Sequence, residues 1–259
     1  MRAEPSEALV LRGVDFGESD RILHLLLPDA GRLTAIAKGA RRSKKRFSGT
    51  LDLFQHLRVL VERRTRGAMA RLDGASLLRN FDAIRSDPSR FALGCFLLEL
   101  LDRLAPEGGP RADTRRLFRF ALDSLSLVAE RPVDGALRVL LELRALDALG
   151  LRPELTRCVR CAGEALERGE IARFHVADGG VVCERCAREG EALLRLHPGT
   201  LRALQQGLRF ELHQLHRLAL GADSLAEARQ LLGRFERFHV GVELRSRRFL
   251  DERLPAAPA

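Results

Sequence analysis

Residues 6–80 alternate between short apolar runs and turn residues. "EALVLRGVDF" and "RILHLLL" are separated by the turn-rich "GESD", and "GRLTAIAKGA" follows "PDAG", where Pro28, Asp29 and Gly31 punctuate the chain. Beyond a polar stretch come "HLRVLVERR" and "AMARLDGASLL". Five short strands with close turn signals predict a small barrel or curled sheet. After residue 80 the apolar spacing lengthens. Asp87 supplies an N-cap and Pro88 the first helical position, so "SRFALGCFLLELLDRLA" reads as a helix that stops at "PEGGP". "RADTRRLFRFALDSLSLVAE" and "DGALRVLLELRALDALG" read as two more, the second closed by Gly150. "PGTLRALQQGLRFELHQLHRLAL" begins another with proline at its first position. In "SLAEARQLLGRFERF", Ser224 and Glu227 have capping-box spacing, and Leu225, Ala228, Leu231, Leu232, Phe235 and Phe238 share one helical face. The fold class is therefore α+β, with a β domain over 1–80 and a helical domain over 81–259 interrupted at about 157–190.

That interruption holds "CVRC" and, 21 residues later, "CERC". Two CxxC turns each present a pair of sulfurs, and together they complete a tetrahedron of thiolates around one metal. Between them "IARFHVADGGVVC" reads as a hairpin turning at Asp178-Gly179-Gly180, which returns the second pair to the first. Two disulfides need an oxidising compartment, and a redox dithiol needs a CxxC at a helix N-terminus beside a βαβ unit. The pattern favours one structural Zn2+ held by Cys158, Cys161, Cys183 and Cys186, with no position left open for substrate. Arg157, Arg160 and Arg185 flank the cysteines and soften the charge of four thiolates. His175 is an alternative ligand but reads better as a polar strand residue, and Cys95 in "LGCFLL" reads as a buried thiol.

Charge changes the picture of the N-terminal third. The 259-residue chain carries 44 Lys+Arg against 35 Asp+Glu, a net +9. Residues 1–80 hold 16 of those cations against 9 acids, and residues 81–259 hold 28 against 26, so the surplus lies in the β domain. All three lysines fall in "AKGARRSKKRF", and six of the nine residues from Lys38 to Arg46 are cationic. A GC-rich genome accounts for arginine over lysine but not for this clustering. Such a loop between strands neutralises phosphates and releases counterions. Lys38, Arg41, Arg42, Lys44, Lys45 and Arg46 are the expected residues for binding a polyanion, nucleic acid or an acidic membrane surface. Phe47 beside them either stacks on a base or anchors the loop in the core. With no Trp or Tyr in the chain, stacking rests on phenylalanine, and sequence-specific readout is not expected.

The chain contains no GxxxxGK[ST], HExxH or GxSxG, so those enzyme classes have no support. "DFGESD" groups Asp15, Glu18 and Asp20, but Asp, Gly and Ser are turn formers and a turn is the better reading. "HQLH" spaces His213 and His216 as metal ligands on a helix, yet without a third donor nearby a solvated face is favoured. The N-terminus has no apolar core of a signal peptide and no window is apolar enough for a span, so a cytoplasmic protein with no membrane partner is expected.

"SEALVLRGVDFGESDRILHLLLPDAGRLTAIAKGARRSKKRFSGTLDLF" resembles the start of the RecO family of bacterial recombination mediators. The matching features are a strand, the turn Gly17-Glu18-Ser19-Asp20, a second strand, a Gly-led third, and an AKG-x-R sequence over Ala37–Arg41. "ELRALDALGLRPELTRCVRC" is similar to the family's approach to its first zinc CxxC. A tyrosine frequent in the family's first turn is missing, with Phe16 in its neighbourhood. The resemblance implies an oligonucleotide-binding (OB-fold) barrel followed by a helical domain with a four-cysteine zinc module. It also implies a non-enzymatic mediator that binds single- and double-stranded DNA, anneals complementary strands and helps load recombinase on gaps. The partners so implied are RecR and single-stranded-DNA-binding protein. A zinc-containing RNA-binding factor with the same barrel is the alternative, and a nuclease using "DFGESD" a more distant one.

Overall fold

The structure is a computed structural model and describes residues 3–43, 45–47, 49–62, 69–164, 171–241 and 243–254. Its strands β1 (Glu4–Phe16), β2 (Asp20–Leu27), β3 (Gly31–Ala37), β4 (Gln55–Glu62) and β5 (Ala70–Asn80) close into a barrel in the order β1-β2-β3-β5-β4. β1 closes the barrel by pairing with β4 through Glu4–Leu9 and with β2 through Leu9–Phe16. A register shift between Val10 and Arg12 lets this one long strand bend from one partner to the next. β3 and β5 run parallel, the rest antiparallel, which is the five-stranded Greek-key arrangement of an OB-fold. Alternate residues such as Val10, Leu23, Leu25, Leu57, Val59 and Leu72 fill the interior.

The chain divides into two compact units, Met1–Glu130 and Arg131–Ala259. The first unit takes in two helices as well as the barrel. α1 (Pro88–Leu104) starts as the sequence predicts, with the Asp87 carboxylate accepting from the Arg90 N–H at 2.8 Å. α2 spans Arg111–Glu130. Polar bonds fasten both to the barrel. His24 Nδ1 lies 2.5 Å from Asp102, the Thr114 hydroxyl donates to the Pro28 carbonyl at 2.8 Å, and the Arg32 N–H donates to the Pro106 carbonyl at 2.8 Å. Gly31 permits that last approach. Its φ is +65°, and a Cβ there would sit 2.2 Å from the Pro106 oxygen.

The second unit contains α3 (Gly135–Ala148), β6 (Ala172–His175), β7 (Gly180–Val182), β8 (Leu193–Leu196), α4 (Pro198–Arg209), α5 (Ala222–His239) and α6 (Arg245–Arg253). The expected hairpin is β6–β7, and β8, which the sequence reading passed over, pairs with the free side of β6. Leu143 and Leu146 of α3, Leu204 of α4 and Leu231 and Phe235 of α5 share one core with Phe174 and Val181 of this sheet. α4 ends earlier than its sequence suggests, because Phe210 turns extended, and residues 212–217 form a 3-10 turn with His213 and His216 exposed. α5 begins two residues before Ser224, so the expected capping box does not form. Glu227 serves the neighbouring helix instead, accepting from the His197 N–H at 3.0 Å and the Thr200 hydroxyl at 2.6 Å at the start of α4. Phe238 also leaves the expected face and is 59% exposed. Among the described residues no helix is long and apolar enough to cross a membrane.

Candidate metal centre and nucleic-acid interface

The four cysteines of the CxxC pairs converge. Their sulfurs all lie within 4.8 Å of one another, the only such group of metal-capable side chains among the described residues. Both turns use the same main-chain device. The Ala162 N–H donates to the Cys158 carbonyl at 2.8 Å, and the Ala187 N–H donates to the Cys183 carbonyl at 3.0 Å. In the first turn Ala162 takes φ +58°, which lets the chain reverse so that the Cys158 N–H reaches the Gly163 carbonyl at 3.0 Å. None of the cysteines is in a disulfide, and Cys161 and Cys183 sulfurs stand 3.8 Å apart. Ligands ~2.3 Å from a tetrahedral ion are separated by about 3.8 Å, so the spacing suits a bound metal ion.

Electrostatics agree with that use. Burial raises the Cys158 thiol, but backbone hydrogen bonds from Cys183, Arg160 and Cys161 outweigh it and hold the group at about 6. Hydrogen bonding to Cys183 and Cys161, followed by burial, pushes Cys186 up to about 12. Four clustered sulfurs cannot all ionise unaided, and a cation is what would let them. Cys158 and Cys183 are also core residues, 1% and 6% exposed, within the apolar cluster of the second unit.

Arg160, between the first two cysteines, has a role beyond softening charge. Its guanidinium donates to the Cys186 carbonyl at 2.6 Å, to Asp178 at 2.7 Å and to Glu191 at 2.8 Å, strapping one CxxC turn to the other. Arg160 and the Arg188 N–H hold the Glu191 carboxyl down to about 2. Glu191 gave no sequence signal, because one acid after a polar turn resembles any other. Arg157 and Arg185 are exposed beside the site, and His175 accepts from the Asp178 N–H at 3.1 Å without joining the cysteines. Cys95 is a separate thiol in α1, pushed up to about 11 by burial.

In the first unit, the basic segment leaves β3 at Lys38 and meets β5 again at Ala75. Lys38, Arg41, Arg42, Lys45 and Arg46 are exposed, while Lys44 lies outside the described residues. These cations differ in what holds them. Arg46 donates to the Lys38 carbonyl at 2.7 Å and stands 5.1 Å over the Phe47 ring, and its own carbonyl accepts from the Ala75 N–H at 2.9 Å. Lys38, Arg41 and Arg42 face acids of the β1–β2 turn. Lys45 has no ion pair among the described residues.

Of the two roles open to Phe47, its position serves the core one. The ring is 4% exposed and packs among the barrel's interior residues, which leaves no face for a base. Phe47→Ala is expected to destabilise the first unit by about 3–5 kcal/mol while leaving the salt dependence of nucleic-acid binding unchanged. Thermal melts alongside salt titrations check this, and a change in slope without a change in melting would contradict it. Asp15, Glu18 and Asp20 lie at a turn, as expected, with Gly17 at φ +58°.

Residues 1–81 match the family model of the recombination protein O N terminal region, and residues 85–248 match that of the recombination protein O C terminal region. The chain belongs to the recombination protein O (RecO) family. Among its relatives, the DNA repair protein RecO of Myxococcus xanthus (strain DK1622) is 39% identical over 256 residues, covering 97% of this chain and 98% of its own. The DNA repair protein RecO of Anaeromyxobacter sp. (strain K) is 39% identical over 249 residues, 94% of each chain. The DNA repair protein RecO of Bacillus subtilis (strain 168) is 28% identical over 246 residues, 95% of this chain and 93% of its own. The RecO models meet near residue 81, where strands give way to helices, whereas the compact units divide after α2.

Proposed function

We propose that this chain is a non-enzymatic DNA-binding protein of DNA repair and recombination. In this reading it binds single- and double-stranded DNA through the barrel's basic loop, anneals complementary strands, and works in the cytoplasm at the nucleoid. RecR and single-stranded-DNA-binding protein are its partners in loading recombinase on gaps. The carrying observation is the row of exposed cations on a barrel loop, in a chain whose full-length relatives are named DNA repair proteins. Exposed cations with mobile side chains suit phosphate tracking, since an ammonium or guanidinium engages any phosphate without reading a base. The four-cysteine cluster holds one Zn2+ in this reading. With four protein ligands the ion has no open position and serves as a structural clip.

The test is annealing of complementary oligonucleotides coated with their cognate single-strand-binding protein, with and without RecR. Acceleration by this chain, altered by RecR, is expected, and no effect on annealing at any ratio would overturn the reading. Affinity for single-stranded DNA should fall with salt at a log–log slope near −3 to −4, about 0.7 per phosphate engaged. Equal competition by RNA of the same sequence would instead favour an RNA-binding factor.

A further inference from the structure

Three cations of the basic loop, Lys38, Arg41 and Arg42, already face acids in this structure. The tip between β1 and β2 lies against them with three carboxylates. Lys38 Nζ is 3.2 Å from Asp20, Arg41 Nε is 3.5 Å from Asp15, and Arg42 Nη2 is 3.3 Å from Glu18. Asp15 is shared, because Arg21 Nε of β2 also lies 3.5 Å from it. We propose that the acidic tip occupies, in the free protein, the places that nucleic-acid phosphates take on the loop, so that Asp15 and Glu18 set how strongly the loop binds a polyanion. This rests on the reading that the loop binds phosphates.

The three acids do not have equal standing. The Asp20 side chain is 18% exposed and also accepts from the Gly39 N–H at 2.8 Å. Those two partners, the Gly39 N–H first and Lys38 second, hold its carboxyl below the usual range. Asp20 is therefore a fixed clamp for the start of the loop. Asp15 and Glu18 are 56% and 89% exposed, and each meets its guanidinium at a distance beyond that of a tight charge-assisted bond. Such pairs are weak and exchange readily with solvent. The Arg41 N–H meanwhile donates to the Ser19 carbonyl at 3.0 Å, tying loop to tip through the main chain. Displacing Asp15 and Glu18 thus needs only side-chain rotation, with the backbone staying in place. A phosphate offers Arg41 and Arg42 the same pair of oxygens that a carboxylate does, and a fork of N–H donors accepts either.

The consequence is a competition written into the fold. A nucleic acid must outbid tethered carboxylates for two arginines, and Arg21, which no loop-based reading would include, is released with them. As both the internal pairs and the repulsion between tip and phosphate weaken with salt, the tip's penalty is greatest at low ionic strength.

The test measures binding of the full-length protein to a labelled 30-mer of thymidylate across a salt series. Three proteins are compared: wild type, Asp15→Asn/Glu18→Gln, and Asp223→Asn/Glu189→Gln as a control with the same change in net charge at exposed positions elsewhere in the chain. The tip variant is expected to bind about 2- to 30-fold more tightly at ~50 mM salt. Its slope should steepen by about 1, at ~0.7 per extra phosphate engaged. The two curves should converge towards ~1 M, where the Debye length is about 3 Å. The control should shift less than the tip variant throughout. Glu18→Gln alone, at the more exposed acid, gives the same direction of change if the double variant folds poorly. A wild type that binds with the expected slope, joined by a tip variant with no gain, overturns the competition while leaving DNA binding intact. An equal gain in the control does the same, because it assigns the effect to net charge. Absence of salt-dependent binding by all three proteins overturns the binding reading itself, and the competition with it.

Discussion

Cys158→Ser is expected to lower the melting temperature by about 10 °C and to abolish stoichiometric zinc. Two losses combine at this position. The side chain is 1% exposed in the core that joins the sheet to α3, α4 and α5, so serine puts a smaller, more polar group into apolar packing, with only the N–H groups of Cys183, Arg160 and Cys161 to offset its burial. An ion held by the four cysteines would also lose one of its ligands, and the binding free energy of a structural site is folding free energy. A combined loss of about 3–5 kcal/mol corresponds to roughly 10 °C at ~2–4 °C per kcal/mol for a chain of this size class. Cys161→Ser separates the two effects, because Cys161 is exposed and takes no part in the core. It should match what a chelator does to the wild type, and a chelator should then do nothing further to the variant. Calorimetry with elemental analysis decides. Zinc near one per chain in wild type, with melts unmoved by chelator or by Cys161→Ser, would mean that the ion is incidental to the fold.

Arg41→Ala/Arg42→Ala/Lys45→Ala should weaken binding of single-stranded DNA about 100-fold at ~0.1 M salt and flatten the log–log slope by about 2. Each cation that meets a phosphate displaces about 0.7 of a counterion, so three removals account for both figures. The loss should be the same for every sequence, since phosphate contacts carry no base information. Arg46 is left out because its bonds to the Lys38 carbonyl and over the Phe47 ring make it a part of the loop's frame. Salt titrations on two oligonucleotides of different sequence measure this, and an unchanged slope would reduce the loop to a solvated turn.

What could be read from the sequence divides along the range of the forces involved. The five strands, the start of α1 at Asp87-Pro88 and the pair of CxxC turns were legible, because each is encoded by neighbours a few residues apart. The four metal-capable cysteines needed one long-range step, a hairpin, and the Asp-Gly-Gly turn announces it. What was missed or left open lies where a side chain has distant alternatives. Glu227 had the right spacing for a capping box, and spacing cannot show that His197 and Thr200 would be closer and better donors. Phe47 could have served base or core, and only the closure of the barrel around it fixes the ring inside. The acidic turn and the basic loop were each visible as charge, yet their pairing depends on strands β2 and β3 running back to back from Arg21–Ala37.

The barrel is not sealed evenly around its circumference. Among the described residues β3 meets β5 through Ala35 against Ala70 and Ile36 against Arg71, whereas β4 follows β5 from Gln55–Asn80 to Glu62–Arg71. The short join is the seam of the cylinder, and the segment leaving β3 is what straps it. That segment grips β5 again through the Arg46 carbonyl on the Ala75 N–H, and Phe47 is driven into the interior beside that bond like a rivet. Cations and seam therefore share one mechanical path. A pull on the cations reaches the wall of the cylinder through a main-chain bond and a buried ring. The barrel is in this sense a buckled cuff rather than a rigid tube, and its buckle is the part that carries the charge.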